Sequence, residues 1–276
     1  MMLKYPIYII SKGRADVCKT SKALDRMGVV HNVVVEPQEY DEYRNHIDHK
    51  NNIIQLPFSN LGQGSIPARN FVWEHSKSQG DERHWILDDN LQNFYRLNNT
   101  KRVICNSPSI FKACEDFVDR YDNVPMAGMN YTTFAMPSKK IKPFTLNTRV
   151  YSCILLENKH DLRWRGRYNE DTDLSIRFLK LGYCTILFNA FLIDKQHTMT
   201  MKGGNADIYD NTNNRYEFAK SLYDQHPDVV KIVMKWGRYH HQVNYKAFKN
   251  RLSKKDTSIK YDKINNYGMV KRKANV

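Results

Sequence analysis

Residues 1–90 alternate short, β-branched apolar runs with helical segments, and few folds accept that order. In YPIYIISKGRADVCKTSKALDRMGVVHNVVVEP, Ile7 to Ile10 reads as a strand that Ser11-Lys12-Gly13-Arg14 interrupts. Thr20 to Met27 carries a helical pattern through Ala23, Leu24 and Met27, and Gly28 stops it. Val33-Val34-Val35 follows as a second strand, closed by Glu36-Pro37. Strand, helix and strand in this order predict a parallel sheet with right-handed crossovers. NNIIQLPF supplies a third strand, Pro67 to Ser78 a helix ended by Gly80, and Trp85 to Leu87 a fourth strand.

The remainder is less regular. SPSIFKACEDFVDRYDN predicts a helix with Ser107 as its cap and a stripe of Ile110, Cys114, Phe117, Val118 and Tyr121. VYSCILLEN and YCTILFN predict strands on either side of EDTDLSIRFLKLG, an amphipathic helix with acids in its first turn and Gly182 past its end. RYEFAKSLYDQ and PDVVKIVMKWGRYHHQ read as two further helices. The expected organisation is a core over residues 1–205, a helical region over 206–250 and a basic tail over 251–276.

The fourth strand delivers Asp88 and Asp89, then Asn90, to its carboxyl end, the edge where open α/β sheets bind ligands. Adjacent carboxylates repel unless a cation or proton joins them, and oxygen donors suit a hard divalent ion, Mg²⁺ or Mn²⁺. The same three residues also make good turn or helix-cap chemistry. Glu170 and Asp171 open a predicted helix, where an acid either serves as a general base or simply complements the helix dipole. His197, in DKQHTMTMKGGN, is either a ligand completing a Mn²⁺ site or a surface imidazole; Lys202 and Gly203-Gly204 can wrap a diphosphate.

Charge is unevenly placed. Residues 231–276 hold 13 Lys and Arg against two acids, whereas the other 230 residues hold 30 basic and 27 acidic groups. A basic tail on a nearly neutral body attracts polyanions, nucleic acid foremost, or else only keeps the chain solvated. RWRGRY, residues 163–168, adds Arg for phosphate and aromatics for stacking, unless it is a surface loop with one anchoring Trp. Five cysteines without a Cys-x-x-Cys pair argue against a disulfide framework or zinc site. No apolar run approaches the roughly 20 residues needed to span a bilayer, and the N-terminus lacks a secretory pattern. A soluble, cytoplasmic protein is expected.

In motif order, residues 3–205 resemble the nucleotide-sugar glycosyltransferases of the GT-A fold, with LDDN resembling their Asp-x-Asp signature and NEDTDLSIRFLKLGY their Glu-Asp segment. Within that fold, YIISKGRAD, VVVEPQEY, IPARNFVWEHS, WILDDN, YNEDTDLSIRFLKLGY and HTMTMKGGN resemble the phage TET-associated glycosyltransferases. The resemblance implies a Rossmann-like, mostly parallel sheet flanked by helices. It also implies transfer from a UDP-sugar to 5-hydroxymethylpyrimidines in DNA, in the host cytoplasm for a phage-encoded chain. Carried over by position, it implies Ser11 and Arg14 beside the uridine or its phosphates, Glu36 at the base or ribose, and Arg69 supporting the nucleotide. Asp88 is implied at the ribose, Asp89, Asn90 and His197 at the metal, Lys202 and Gly203 at the diphosphate. Asp171, with Glu170, is implied to face the acceptor hydroxyl; apart from the resemblance, the composition of the RWRGRY loop makes Arg163, Trp164, Arg165, Arg167 and Tyr168 the expected DNA contacts. Asn90 departs from the signature, being an uncharged amide where the family pattern has a carboxylate. Other readings consistent with the residues are a glycan or protein acceptor, a nucleotidyltransferase, or an inactive DNA-binding relative.

Overall fold

The computed structural model describes residues 3–136, 138, 140–195, 215–255, 264 and 268–270. In chain order the elements are β1 (Ile7–Ile10), α1 (Lys19–Arg26), β2 (Asn32–Val35), α2 (Tyr40–His46), β3 (Asn52–Gln55), α3 (Ile66–Ser78) and β4 (Arg83–Asp88). Next come β5 (Leu91–Asn98), β6 (Lys101–Ile104), α4 (Ser109–Val118), β7 (Met126–Tyr131), β8 (Phe144–Leu146), β9 (Cys153–Glu157), α5 (Glu170–Lys180) and β10 (Thr185–Lys195). After the core lie α6 (Arg215–Gln225), β11 (Val230–Lys235) and β12 (Arg238–Val243).

Ten strands form one mixed sheet in the order β3-β2-β1-β4-β9-β7-β10-β5-β6, with β8 beside β10. The first four are mutually parallel and β7 is parallel to β10; β9, β5 and β8 run against their neighbours. Most strands therefore point one way, in the Rossmann-like GT-A arrangement.

Strand alternation sorts the core. Ile7, Ile9, Trp85, Leu87, Cys153 and Leu155 face the layer of α1, α2 and α4, meeting Leu24, Tyr43, Phe111 and Cys114. Tyr8, Ile86, Ile154 and Leu156 face α3 and α5, meeting Val72, Trp73, Leu174 and Phe178. A sheet covered on both faces needs apolar residues at every position of its inner strands, which is why those strands read as continuous runs. At Gly128 of β7 an added Cβ would lie 2.2 Å from the Cys153 carbonyl oxygen, so only glycine lets β7 and β9 approach as they do. All five cysteines are free.

The chain leaves β1 for β2 and β3 on one side and returns through α3 to β4 on the other. The crevice at the carboxyl ends of β1 and β4 is thus a topological switch point, where sheets of this kind bind ligands.

One expectation needs correction beyond the core. The stretch read as a helix over Pro227 to Gln242 is the β11–β12 hairpin. Val230, Ile232 and Met234 alternate with Lys231, Val233 and Lys235, a two-residue period, and Trp236-Gly237 supplies a turn that a helix would not tolerate. Residues 251–255, where the basic tail begins, are held against the core. Ser253 and Lys255 pair through their backbones with Asp122 and Arg120, and Asn250 donates from Nδ2 to the Leu179 and Tyr183 carbonyls.

Candidate active site

The β4 turn is clamped by the first turn of α1. The buried Thr20 hydroxyl donates to the Asp88 carbonyl at 2.6 Å and accepts from the Leu91 amide at 2.9 Å, while the Thr20 amide donates to the Asp89 carbonyl at 3.1 Å. This fixes the two acid side chains, and each finds different partners. Asp89 accepts from Ser11 Oγ at 2.7 Å and from Arg14 Nη1 at 2.6 Å. Ser11 also bonds the Tyr43 hydroxyl at 2.6 Å, which in turn accepts from the Arg14 amide. Burial pushes the Asp89 carboxyl above its ordinary range, against the pull of Arg14 and Ser11.

Asp88 accepts from Arg69 at 3.0 Å on one oxygen, and on the other from Ser152 Oγ and Lys195 Nζ, both at 2.7 Å. Burial alone would raise its pKa; Lys195 and Arg69, with these hydrogen bonds, overcome that and bring it down to about 2. The paired acids are therefore compensated by the chain's own Arg14, Arg69 and Lys195. Ser152 sits at φ 63, in the left-handed region unfavourable to a side chain, and holds both Asp88 and Lys195.

Arg69, buried on α3, extends the network to the first turn of α5. Its Nη1 lies 3.3 Å from Asp171 Oδ1, which also accepts from Trp164 Nε1 at 2.9 Å. Burial raises the Asp171 carboxyl to about 7; Arg69 opposes this, and the charges of Glu170 and Asp88 add to it. Glu170 is the first residue of α5, and its Oε1 is 3.4 Å from Ser65 Oγ. Asn169, just before it, stands at φ 58 and donates from Nδ2 to the Phe218 carbonyl of α6 at 2.7 Å.

Ser11, Arg14, Arg69, Asp88, Asp89, Asn90 and Asp171 thus converge at the switch point. Glu36, just past β2, has partners of its own: it accepts from Lys12 Nζ at 3.0 Å, the Asn60 amide at 3.1 Å and Gln38 Nε2 at 2.6 Å. These contacts hold its carboxyl below the usual range despite burial. His197, Lys202 and Gly203 lie outside the described residues.

The RWRGRY loop needs correction. Trp164 is buried, packs edge-on against Trp73 at 5.2 Å and donates to Asp171, so its ring has no face for a nucleobase. Arg163 is committed to Glu74, to the His160 and Leu162 carbonyls and to the Trp73 ring. Arg165 pairs with buried Asp173 at 3.0 Å but remains half exposed. Arg167 is exposed over the Tyr168 ring, which stacks on Phe218 at 4.1 Å.

Sequence patterning missed Lys195, Ser152 and Tyr43. Only Lys195 carried a signal, an ionisable group closing the apolar run of β10; nothing marked Ser152 before its partners were known.

Among the described residues, no group of three His, Cys, Asp or Glu side chains is arranged to hold a metal ion. Asn90 Oδ1, however, is buried without a hydrogen-bond partner. Beside Asp89 it gives a hard-oxygen pair that suits Mg²⁺ or Mn²⁺. Both acids are engaged as they stand: the oxygens of Asp88 accept from Arg69, Ser152 and Lys195, and those of Asp89 from Ser11 and Arg14, so an ion at Asp89 would have to displace one of its donors.

The family model described as TET-Associated Glycosyltransferase matches residues 5–204. The chain belongs to this family. No curated protein matches it. As a TET-associated glycosyltransferase the chain is a sugar-transferring enzyme of a DNA-modification family, and the match ends before α6 and the hairpin. Among its described residues no helix is long and apolar enough to cross a membrane.

Proposed function

We propose that the enzyme transfers a sugar from a UDP-sugar to the hydroxyl of 5-hydroxymethylcytosine, or a related hydroxymethylpyrimidine, in duplex DNA. The observation that carries this reading is the Asp88–Arg69–Asp171 bridge, with contacts of 3.0 and 3.3 Å. One buried guanidinium ties a strongly ionised acid at the nucleotide-binding edge to an acid whose pKa sits near neutrality. A base poised near the working pH is what proton removal from a hydroxyl requires, worth about 10²–10⁴-fold.

In this reading Ser11, Arg14 and Glu36 meet the uridine and its phosphates, and Asp88 the ribose. Asp89 and Asn90 are the residues that would hold Mn²⁺ or Mg²⁺, with His197 and, at the diphosphate, Lys202 and Gly203 as further proposed contacts. When bound, such an ion neutralises the departing UDP as a Lewis acid. The acceptor oxygen bonds to the anomeric carbon as that carbon's bond to the diphosphate breaks. The electron pair leaves with UDP, and Asp171, or its neighbour Glu170, takes the hydroxyl proton. Lys195 and Arg69 keep positive charge beside the developing anion. Arg165 and Arg167 present cations to the DNA, and the hydroxymethyl group is reached in the major groove or after extrusion of the nucleotide.

The test is UDP release from UDP-sugars with Mn²⁺, with hydroxymethylated duplex, unmodified duplex or a glycan as acceptor. Release should be stimulated by the hydroxymethylated duplex alone, and the sugar should appear on DNA by mass spectrometry. Release that responds to a glycan and ignores DNA would overturn the acceptor assignment.

A further inference from the structure

The β11–β12 hairpin has features that the cleft does not use. Its base is anchored: Val230 is buried and packs with Leu222 of α6, Ile176 of α5 and Val243. Its far half is more exposed. Met234 and Tyr239 pair across one face and are exposed, and on the other face Lys235 lies directly opposite Arg238. Like charges facing each other across two strands destabilise a hairpin unless an anion lies between them. No acid lies in the same stretch of chain: residues 231–255 contain eight Lys and Arg and neither Asp nor Glu.

The tip is the second anomaly. Trp236 and Gly237 form a two-residue turn with φ of 49 and 69, the type I′ geometry that favours Asn-Gly. A bulky ring in the left-handed region is costly, and this ring is 88% exposed, whereas Trp73, Trp85 and Trp164 are buried. Its ring meets the His240 ring edge-on at 5.8 Å, but neither backbone preference nor burial explains a tryptophan here.

Resting on the DNA-acceptor reading above, we infer that the hairpin is a DNA-gripping element, with Trp236 stacking on a base and Lys235 and Arg238 holding the flanking phosphates. Aromatic residues between cations serve this purpose where extrusion of the target nucleotide unstacks a base, because a base then offers its π-face and every step carries a phosphate. The hairpin is also joined to the reacting end of the molecule. α6 packs on β12, with Tyr216 and Tyr239 rings 5.1 Å apart, and the same helix accepts the Asn169 hydrogen bond beside Glu170 and Asp171. Duplex DNA lying across the cleft mouth would meet both.

The turn geometry supplies a clean variant. Trp236→Asn installs the residue that a type I′ turn prefers, so its Tm should match or exceed that of the wild type. Binding to a fluorescently labelled hydroxymethylated duplex should weaken by on the order of ten- to a hundredfold, with the salt dependence of binding unchanged. Lys235→Gln with Arg238→Gln should instead lower the slope of log affinity against log salt by about 2. In the wild type, the red-shifted emission of Trp236 should be quenched by DNA. Wild-type DNA affinity in W236N, or emission indifferent to DNA, overturns the inference. So does a W236N phenotype confined to self-association in light scattering, or to glycan binding. If wild-type DNA binding and sugar transfer both persist in W236N, only the hairpin's role falls. A wild type that glycosylates a glycan and ignores DNA overturns the acceptor reading, and this inference with it.

Discussion

The switch-point cleft and the C-terminal hairpin handle charge in opposite ways. In the cleft, Asp88, Asp89 and Asp171 are each within 3.3 Å of a cationic side chain, and Arg69, Lys195 and Arg14 are tied down by those acids. On the hairpin, Lys235 faces Arg238 in solvent with no acid in the segment. A preorganised electrostatic site needs its charges fixed in a low dielectric before substrate arrives, because fixed dipoles cost no reorganisation during reaction. A surface that grips a polyanion works the other way, by leaving cations unpaired so that phosphates release their counterions. The two regions should therefore respond differently to mutation, pH and salt.

The largest effect is expected at Asp88. Asp88→Asn leaves Arg69 and Lys195 buried without their shared anion, which should cost about 3–5 kcal/mol of stability. The folded-state pKa is depressed, so the wild type holds this contribution above the ordinary value of 3.8 and loses it as pH falls toward about 2. Urea titrations should show the acid-side loss in the wild type and its absence in D88N. A D88N protein as stable as the wild type at pH 7 would mean that the cleft charges are solvated like those of the hairpin, and the contrast would disappear.

Asp171 should separate chemistry from stability. Asp171→Asn is expected to reduce transfer by about 10²–10⁴-fold, with the UDP-dependent thermal shift retained. In the wild type, the rate should rise through about pH 7 as the carboxyl ionises. The stability sign is opposite to that of Asp88. A raised carboxyl pKa favours the folded state at low pH, and that advantage fades as pH climbs through the folded value. Above pH 7, D171N should therefore be more stable than the wild type, by about 1–3 kcal/mol. A D171N that transfers at the wild-type rate would move the base to Glu170.

The same contrast governs what could be read from the sequence. The strands β1, β2, β4 and β9 and their helices were legible because burial on both faces writes an uninterrupted apolar run. β5, β6, β7 and β8 were not assigned: β7 contains Gly128 and Asn130, and the reason for Gly128 is the approach of Cys153, a contact no local pattern displays. In the cleft, Asp88, Asp89 and Asp171 stood out as acids placed at the ends of regular elements. The cation they required did not, since Lys195 is 107 residues from Asp88. Trp164 was misjudged because an indole buried to position a carboxylate and an indole exposed to stack on a base are the same letter. Trp236 lies in a segment whose run of apolar residues suits a helix as well as a strand until the turn at Trp236-Gly237 is seen.

The smallest effect should come from the end of the chain, and it sharpens how far the cationic surface extends. Truncation after Lys255 keeps the segment that pairs with Arg120 and Asp122 and removes five Lys and Arg with two acids. If the removed cations touch DNA, the salt slope should fall by no more than about 4, and affinity at moderate salt should drop less than it does on losing Trp236, because counterion release adds no base stacking. Transfer in saturating DNA should be unaffected, since the cleft acids and their cations all precede residue 196. Anisotropy titrations at several salt concentrations measure the slope directly. An unchanged slope would confine the grip to the hairpin and the other residues before 256; a slope reduced by 3 or more would show that the cations after residue 255 contribute at least as much as Lys235 and Arg238 do.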